Sequence, residues 1–209
     1  MLGLVKKDLL MIKGNIRQVI LFLVVFLVLA FQENNIIVIV PVFVSMMVFI
    51  TTFSYDEYNK WDAYAIALPI SRKNIVKSKY IASIILWAIA LLVTVVITVI
   101  MGIIGQNINY FEMFGMILGC VFSIVLLEAI MFPLIFKFGV EKGRIGLFVG
   151  VFAIAALLGF IFTGVDLENA TGFIEFFNKY YYILLPLAII ILLMGSYFVS
   201  KRIYLKKEF

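Results

Sequence analysis

Long apolar runs separated by short polar segments dominate this chain of 209 residues. About 20 apolar residues cross the hydrocarbon core of a bilayer as a helix. Six such spans can be drawn, at about Ile16–Phe31, Ile36–Phe53, Ile81–Ile104, Met113–Phe136, Ile145–Phe162 and Tyr181–Ser200. Transmembrane strands would instead give short alternating segments. The pattern predicts an all-α polytopic membrane protein, with residues 1–209 forming one transmembrane domain.

The polar segments have different characters. Ahead of the first span, Leu2, Val5, Leu9, Ile12 and Ile16 recur at helical spacing, beside an arc of Lys6, Lys13 and Arg17. This predicts an amphipathic helix over residues 1–16 lying in the membrane interface, with a simple cytoplasmic extension of the first span as the alternative. Between the second and third spans lies the longest polar island flanked by basic residues, Ser54–Tyr80. On the other side, Gln32–Asn35 and Gly105–Glu112 are short, and Thr163–Lys179 mixes Asp166, Glu168 and Glu175 with Phe173, Phe176 and Phe177. That mixture predicts a short helix at the outer interface.

Charge supplies the orientation. Of the 17 Lys and Arg residues, 16 fall at residues 1–17, in 60–79, in 137–144 or after Ser200, and only Lys179 falls on the other side. Basic residues flanking spans stay in the cytoplasm, so both termini and Ser54–Tyr80 are expected there. The pI of about 9.2 then reflects topology and anionic membrane lipid, with no nucleic acid as partner. A composition 65% hydrophobic and 14% charged, with mean hydropathy +1.18, excludes a soluble domain. With no histidine and one cysteine (Cys120, within an apolar run), neither a disulfide framework, a thiolate metal cluster, nor histidine-based proton, protease or haem chemistry is expected.

Inside the island, Tyr58, Trp61, Ala65 and Leu68 follow helical spacing and predict an apolar-aromatic stripe on a short helix. Asp56, Glu57, Asn59 and Lys60 lie around the rest of it, and Asp62 near its edge. The helix must end near Leu68–Pro69, and Ser71 is placed to cap a second helix running into the third span. Two readings stay open: aromatics resting at headgroup depth, or a helix that docks in a groove of a cytoplasmic partner.

Within the spans, Glu128 is the one acid deep in an apolar run. A charge there is costly, so it is expected to pair across helices or to line a path that attracts a cationic substrate. Pro41, Pro133 and Pro186 are each expected to bend a span. Gly115, Gly119 and Ser123, spaced by four, form a close-packing face whose partner can be within the chain or across a dimer.

Several segments together resemble the small ATP-binding-cassette (ABC) type-2 permeases. They are the KKDLL segment, Tyr55-Asp56-Glu57 through Trp61-Asp62, Leu68-Pro69-Ile70-Ser71-Arg72, Lys79-Tyr80, and Pro133–Gly139 with Glu141, Lys142 and Arg144. The resemblance covers essentially the whole chain and looks closest to bacterial permeases of phenol-soluble modulin and antimicrobial-peptide exporters. It implies a type V exporter-like permease in the bacterial cytoplasmic membrane, exporting amphipathic peptides as a homodimer or with a close paralogue. It also implies that the segment from Tyr55 to Ala65 (Tyr55, Asp56, Glu57, Tyr58, Asn59, Trp61, Asp62 and Tyr64) is the main coupling helix to a nucleotide-binding subunit. Glu141, Lys142 and Arg144 would make the minor contact. ATP and its magnesium ion would belong to that subunit, since no GxxxxGK[ST] phosphate loop occurs here. No catalytic residue, cofactor or metal site is expected in this chain. The alternative is a substrate-binding membrane subunit of a vitamin importer. An intramembrane enzyme finds no Ser–His pair, no paired aspartates at matched depth and no metal-ligand cluster.

Overall fold

A computed structural model describes residues 2–14, 36–103, 109–146 and 171–207, together with 16, 17, 20, 21, 24, 148–150 and 152. The expected first and fifth spans fall largely outside the described residues. The elements are α1 (Leu2–Gly14), α2 (Ile36–Tyr58), α3 (Trp61–Ala67), α4 (Arg72–Ile103), α5 (Tyr110–Phe138) and α6 (Thr171–Lys206). Residues 140–146 add a further helical segment. Among the described residues no strand occurs, and α4, α5 and α6 are long and apolar enough to cross a membrane. The second expected span lies within α2.

Local chemistry sets the ends. At Lys60 the backbone takes a left-handed turn (φ 50°), after the Asn59 side chain and backbone N–H both donate to the carbonyl of Tyr55. This closes α2 at Tyr58 and lets α3 start at Trp61. Such a conformation costs a residue with a Cβ about 1–2 kcal/mol, so surrounding contacts must hold it. Leu68 is extended ahead of Pro69, as the proline's ring requires of its predecessor. The expected end of the short helix is therefore found, but its start differs. Tyr58, Asp56 and Glu57 belong to α2, so Tyr58 and Trp61 do not form one stripe on one helix. The left-handed turn between them rotates the later residues away from the register that unbroken periodicity would give. Ser71 precedes α4 at the cap position, with its carbonyl accepting from the N–H of Asn74. The side chain of Asn109 caps α5 by accepting from the N–H groups of Phe111 and Glu112.

The last helix also departs from expectation. Residues 171–179 do not form a separate interfacial helix; they are the first turns of α6, which runs unbroken for 36 residues. At 1.5 Å per residue it is about 54 Å long, well beyond a hydrocarbon core of about 30 Å. No proline interrupts the stretch from Thr171 until Pro186, and Pro133 and Pro186 are both accommodated within continuous helices.

Packing is unequal along the bundle. The principal core joins Phe49, Phe53, Tyr80, Phe132, Phe136 and Tyr204 to Leu4, Val5, Ala65 and Val76. Its rings meet edge-on or tilted at 4.8–5.6 Å, the favoured aromatic geometry. The other end is held by fewer and different contacts. Tyr181 donates to the carbonyl of Gly115 at 2.9 Å, and Tyr182 stacks on Phe114. Tyrosines of α6 thus occupy the small-residue face of α5, so Gly115 and Gly119 have a partner within the chain. Ile84, Leu92, Val95 and Val99 of α4 and Ile183, Ile190 and Ile191 of α6 remain exposed, as lipid-facing side chains are.

Candidate functional site

The cytoplasmic chemistry expected from the sequence gathers at one end of the bundle. There α1, the end of α2, α3, the start of α4, residues 139–144 and the end of α6 all meet. The cause is a set of polar contacts between residues remote in sequence.

The most enclosed of these is a closed square of charges. Lys7 reaches both carboxylate oxygens of Asp56, at 2.7 and 2.9 Å, and lies 3.2 Å from Asp8. Lys79 reaches Asp8 at 2.9 Å and Asp56 at 2.6 Å. Asp8, Asp56 and Lys79 are buried. Two positive and two negative groups alternate around the square, so burial leaves no net charge. The ammonium of Lys7 also sits 4.2 Å from the centre of a Trp61 ring, and that of Lys79 sits 4.7 Å from Phe53, within cation–π range.

On its far side α3 is tied to the end of α6. The hydroxyl of Tyr204 donates to Asp62 at 3.0 Å, and Lys207 approaches the same carboxylate at 3.6 Å. Arg72, at the start of α4, donates to the carbonyls of Leu205 and Lys207. These groups satisfy carbonyls that the end of a helix leaves unpaired.

The loop after α5 is tied in as well. Gly139 has φ 84°, a conformation natural to glycine. A Cβ there would come within 2.6 Å of Glu57 Oε1, so side chain and backbone both call for glycine. Glu57 accepts from the N–H of Val140 at 2.5 Å, at the start of the helical segment 140–146, where unpaired N–H groups favour an acid. Arg144 donates to Ser54 at 3.1 Å. The two polar loops singled out by sequence, Tyr55–Ala65 and Gly139–Arg144, are thus one surface. A cavity between them is lined by Asp56, Glu57, Lys60, Trp61, Asp62 and Lys79, among others.

The sequence-selected residues divide into two groups. Asp56, Glu57, Trp61, Asp62 and Arg144 engage other parts of the protein. Tyr55, Tyr58, Asn59, Tyr64, Glu141 and Lys142 present themselves outward, Tyr58 being the most exposed of the aromatics at 86%. Sequence reasoning missed Asp8, Lys79, Tyr204 and the pairing role of Lys7. An acid on the apolar side of α1 was the available signal for Asp8. In α1 the buried residues are Leu4, Val5 and Asp8, and Leu9 and Ile12 pack against the core, whereas Leu2 is exposed, so the packed face keeps Val5, Leu9 and Ile12 of the apolar spacing and adds Leu4 and Asp8.

Glu128 lies away from this surface, buried within α5. Trp87 of α4 donates to its Oε1 at 3.1 Å. Among the described residues Oε2 has no hydrogen-bond partner. Nearby, Tyr80 shares hydrogen bonds with Ser196 and Ser200 of α6, at 2.7 and 2.8 Å, and Ser196 also donates to the carbonyl of Ala129. Polar contacts therefore link α4, α5 and α6 inside the apolar bundle.

Long apolar helices joined to a polar, interlocked end define a membrane protein built to connect its spans to one surface. A family model described as ABC-2 family transporter protein matches residues 3–205. The chain belongs to that family, whose members are the membrane components of ABC transporters and work with an ATP-binding subunit. No curated protein and no solved structure matches it.

Proposed function

We propose that the chain is the permease subunit of an ABC exporter for amphipathic peptides of toxin or antimicrobial type. It spans the bacterial cytoplasmic membrane six times with both termini inside, and pairs with a second copy or a close paralogue. ATP and magnesium are bound by the separate nucleotide-binding subunit. The observation that carries this reading is the interlocked end: the short surface helix α3 is tied to α1 and α6, and the end of α2 from which it turns is tied to α1, α4 and the α5 loop. A push on α3 reaches α4, α5 and α6, which is what a coupling helix must do to turn nucleotide binding into a population shift of the spans. Residues 2–14, the two polar loops and the end of α6 share this end, in keeping with one cytoplasmic face.

Tyr58 and Tyr64, together with Glu141 and Lys142, are the contact residues for the ATPase. Trp61, Asp62 and Asp56 hold the helix in place from behind. The test is purification of the tagged chain from its own membrane. A soluble ATPase should accompany it, and Tyr58→Ala with Tyr64→Ala should release that ATPase while the permease keeps its fold. Retention of the ATPase by this double variant would sink the docking assignment. A tight ligand held by the purified single chain, with no ATPase bound, would favour the vitamin-importer subunit instead.

Glu128 is the candidate for the translocation path. Its Oε2, without a hydrogen-bond partner among the described residues, and its burial suit a cationic group of a passing peptide, whereas its bond to Trp87 also suits a purely interhelical role. Exposed apolar faces on α4 and α6 suit lipid and an amphipathic cargo better than a sugar or an ion.

A further inference from the structure

We propose that Lys7, Asp8, Asp56 and Lys79 form a positioning ring that makes α1 the strut on which α3 is set. The inference rests on the coupling reading of α3 and extends it, through Asp56, to α1 and to Lys7, Asp8 and Lys79, which lie outside the two coupling loops. Three features of the ring support this. It is closed, each charge facing two of opposite sign at 2.6–3.2 Å. It joins three elements, α1, the end of α2 and the start of α4, through residues 49 and 71 positions apart. Finally, it continues onto α3 through the ammonium of Lys7 over Trp61.

The turn that separates α2 from α3 gives the ring something to hold. Lys60 is left-handed without being glycine, and as N-cap it makes no side-chain bond to α3. A helix of seven residues is marginal alone, since nucleation costs more than so short a ladder returns. Its attitude must come from tertiary contacts, and on the α1 side these are Lys7 over Trp61 and the buried Ala65. An ion ring suits such a joint because charges impose one mutual geometry, whereas apolar packing tolerates sliding. The other side of α3 is held by Tyr204 and Lys207, so the ring and the α6 end act as two jaws.

The test places spin labels at exposed positions of α1 and α3, Leu10→Cys and Tyr64→Cys, with Cys120→Ala, in bilayer nanodiscs. A second pair at the opposite end, Tyr110→Cys and Ile183→Cys, reports on the fold. The native ring should give one narrow Leu10–Tyr64 distance population. Asp8→Asn and Lys79→Met should each lose that single population while the Tyr110–Ile183 distance stays fixed. An unchanged Leu10–Tyr64 population in both variants overturns the ring. Broadening of both pairs together also overturns it, by assigning these residues to general stability. With the ATPase that accompanies the chain bound, ATP and vanadate should shift the Tyr110–Ile183 distance in the native complex, and ring variants should lose that shift. A shift retained by the variants counts against the ring. If no ATPase accompanies the native chain, the coupling reading fails, and the label distances still decide the joint.

Discussion

Asp56 and Glu128 are both buried acids, and their surroundings could hardly differ more. Asp56 sits at the polar end between two ammonium groups, each within 2.9 Å, in a square whose charges cancel. Glu128 sits within the bundle and, among the described residues, has one indole N–H as its partner and one oxygen unmatched. A charge removed from water needs a counter-charge and filled lone pairs to be tolerated. Asp56 has both, and the chain uses it as a joint. Among the described residues Glu128 has neither in full, which leaves open both a helix contact and a place on a path.

The widest separation between the two should come from deleting the Asp56 carboxylate. Asp56→Ala leaves Lys7 and Lys79 facing each other beside Asp8 alone, with Lys79 still buried. Removing one partner of a buried ion pair costs about 3–5 kcal/mol. Thermal unfolding in nanodiscs should show this as the most destabilised variant of the set. A midpoint close to native would mean that the square contributes little and that the contrast with Glu128 is false.

Next in size is Gly139→Ala, which attacks the same end from the α5 side. Alanine at φ 84° is strained by about 1–3 kcal/mol, and its Cβ would displace Glu57 from the N–H of Val140. The variant should lose stability on that scale and detach the α5 loop from α2. Unfolding midpoints and proteolytic cleavage at residues 139–144 read both. Loss of stability without faster cleavage would show that Glu57 finds Val140 in spite of the added methyl.

A smaller effect belongs to the opposite end. At Gly119 an added Cβ would lie 2.9 Å from the Tyr181 hydroxyl, the far end of a side chain that can swing. Gly119→Ala should therefore cost no more than the hydrogen bond from Tyr181 to Gly115, about 0.5–1.5 kcal/mol. A cost as large as that of Gly139→Ala would show that both ends are equally rigid.

These contrasts also explain what the sequence could convey. Apolar runs, basic flanks and Pro69 act locally, so the long helices and the end of α3 were readable from composition and spacing. The start of α3 was not, because it depends on Lys60 adopting a left-handed turn that its neighbours, and not its own side chain, make tolerable. The long reach of α6 was hidden by acids and aromatics that resemble an interfacial segment, although nothing there stops a helix. The two polar loops were legible as polar islands. Their union through Glu57 and Val140, separated by 83 positions, has no local signature. The ring is the extreme case: nothing local in KKD or SKY shows that Lys7, Asp8 and Lys79 meet at Asp56.

Glu128→Gln should have the smallest effect on stability and tells most about function. Glutamine keeps the shape and an oxygen for the Trp87 N–H, so the bond between α4 and α5 survives. Polar contacts between membrane helices contribute about 0.6 kcal/mol on average, and the variant should stay within that of native. Transport then separates the two roles left to this residue. If Glu128 serves only the helix contact, export of a cationic amphipathic peptide by the assembled transporter should match native, because the contact is intact. If it lines the path, export of the cationic peptide should fall while export of an uncharged analogue stays near native, since glutamine offers no charge to attract. Equal loss for both peptides with native stability would instead place the residue in the conformational cycle, as a polar hinge between α4 and α5. That outcome would make Glu128, like Asp56, a joint, and the difference between them one of depth alone.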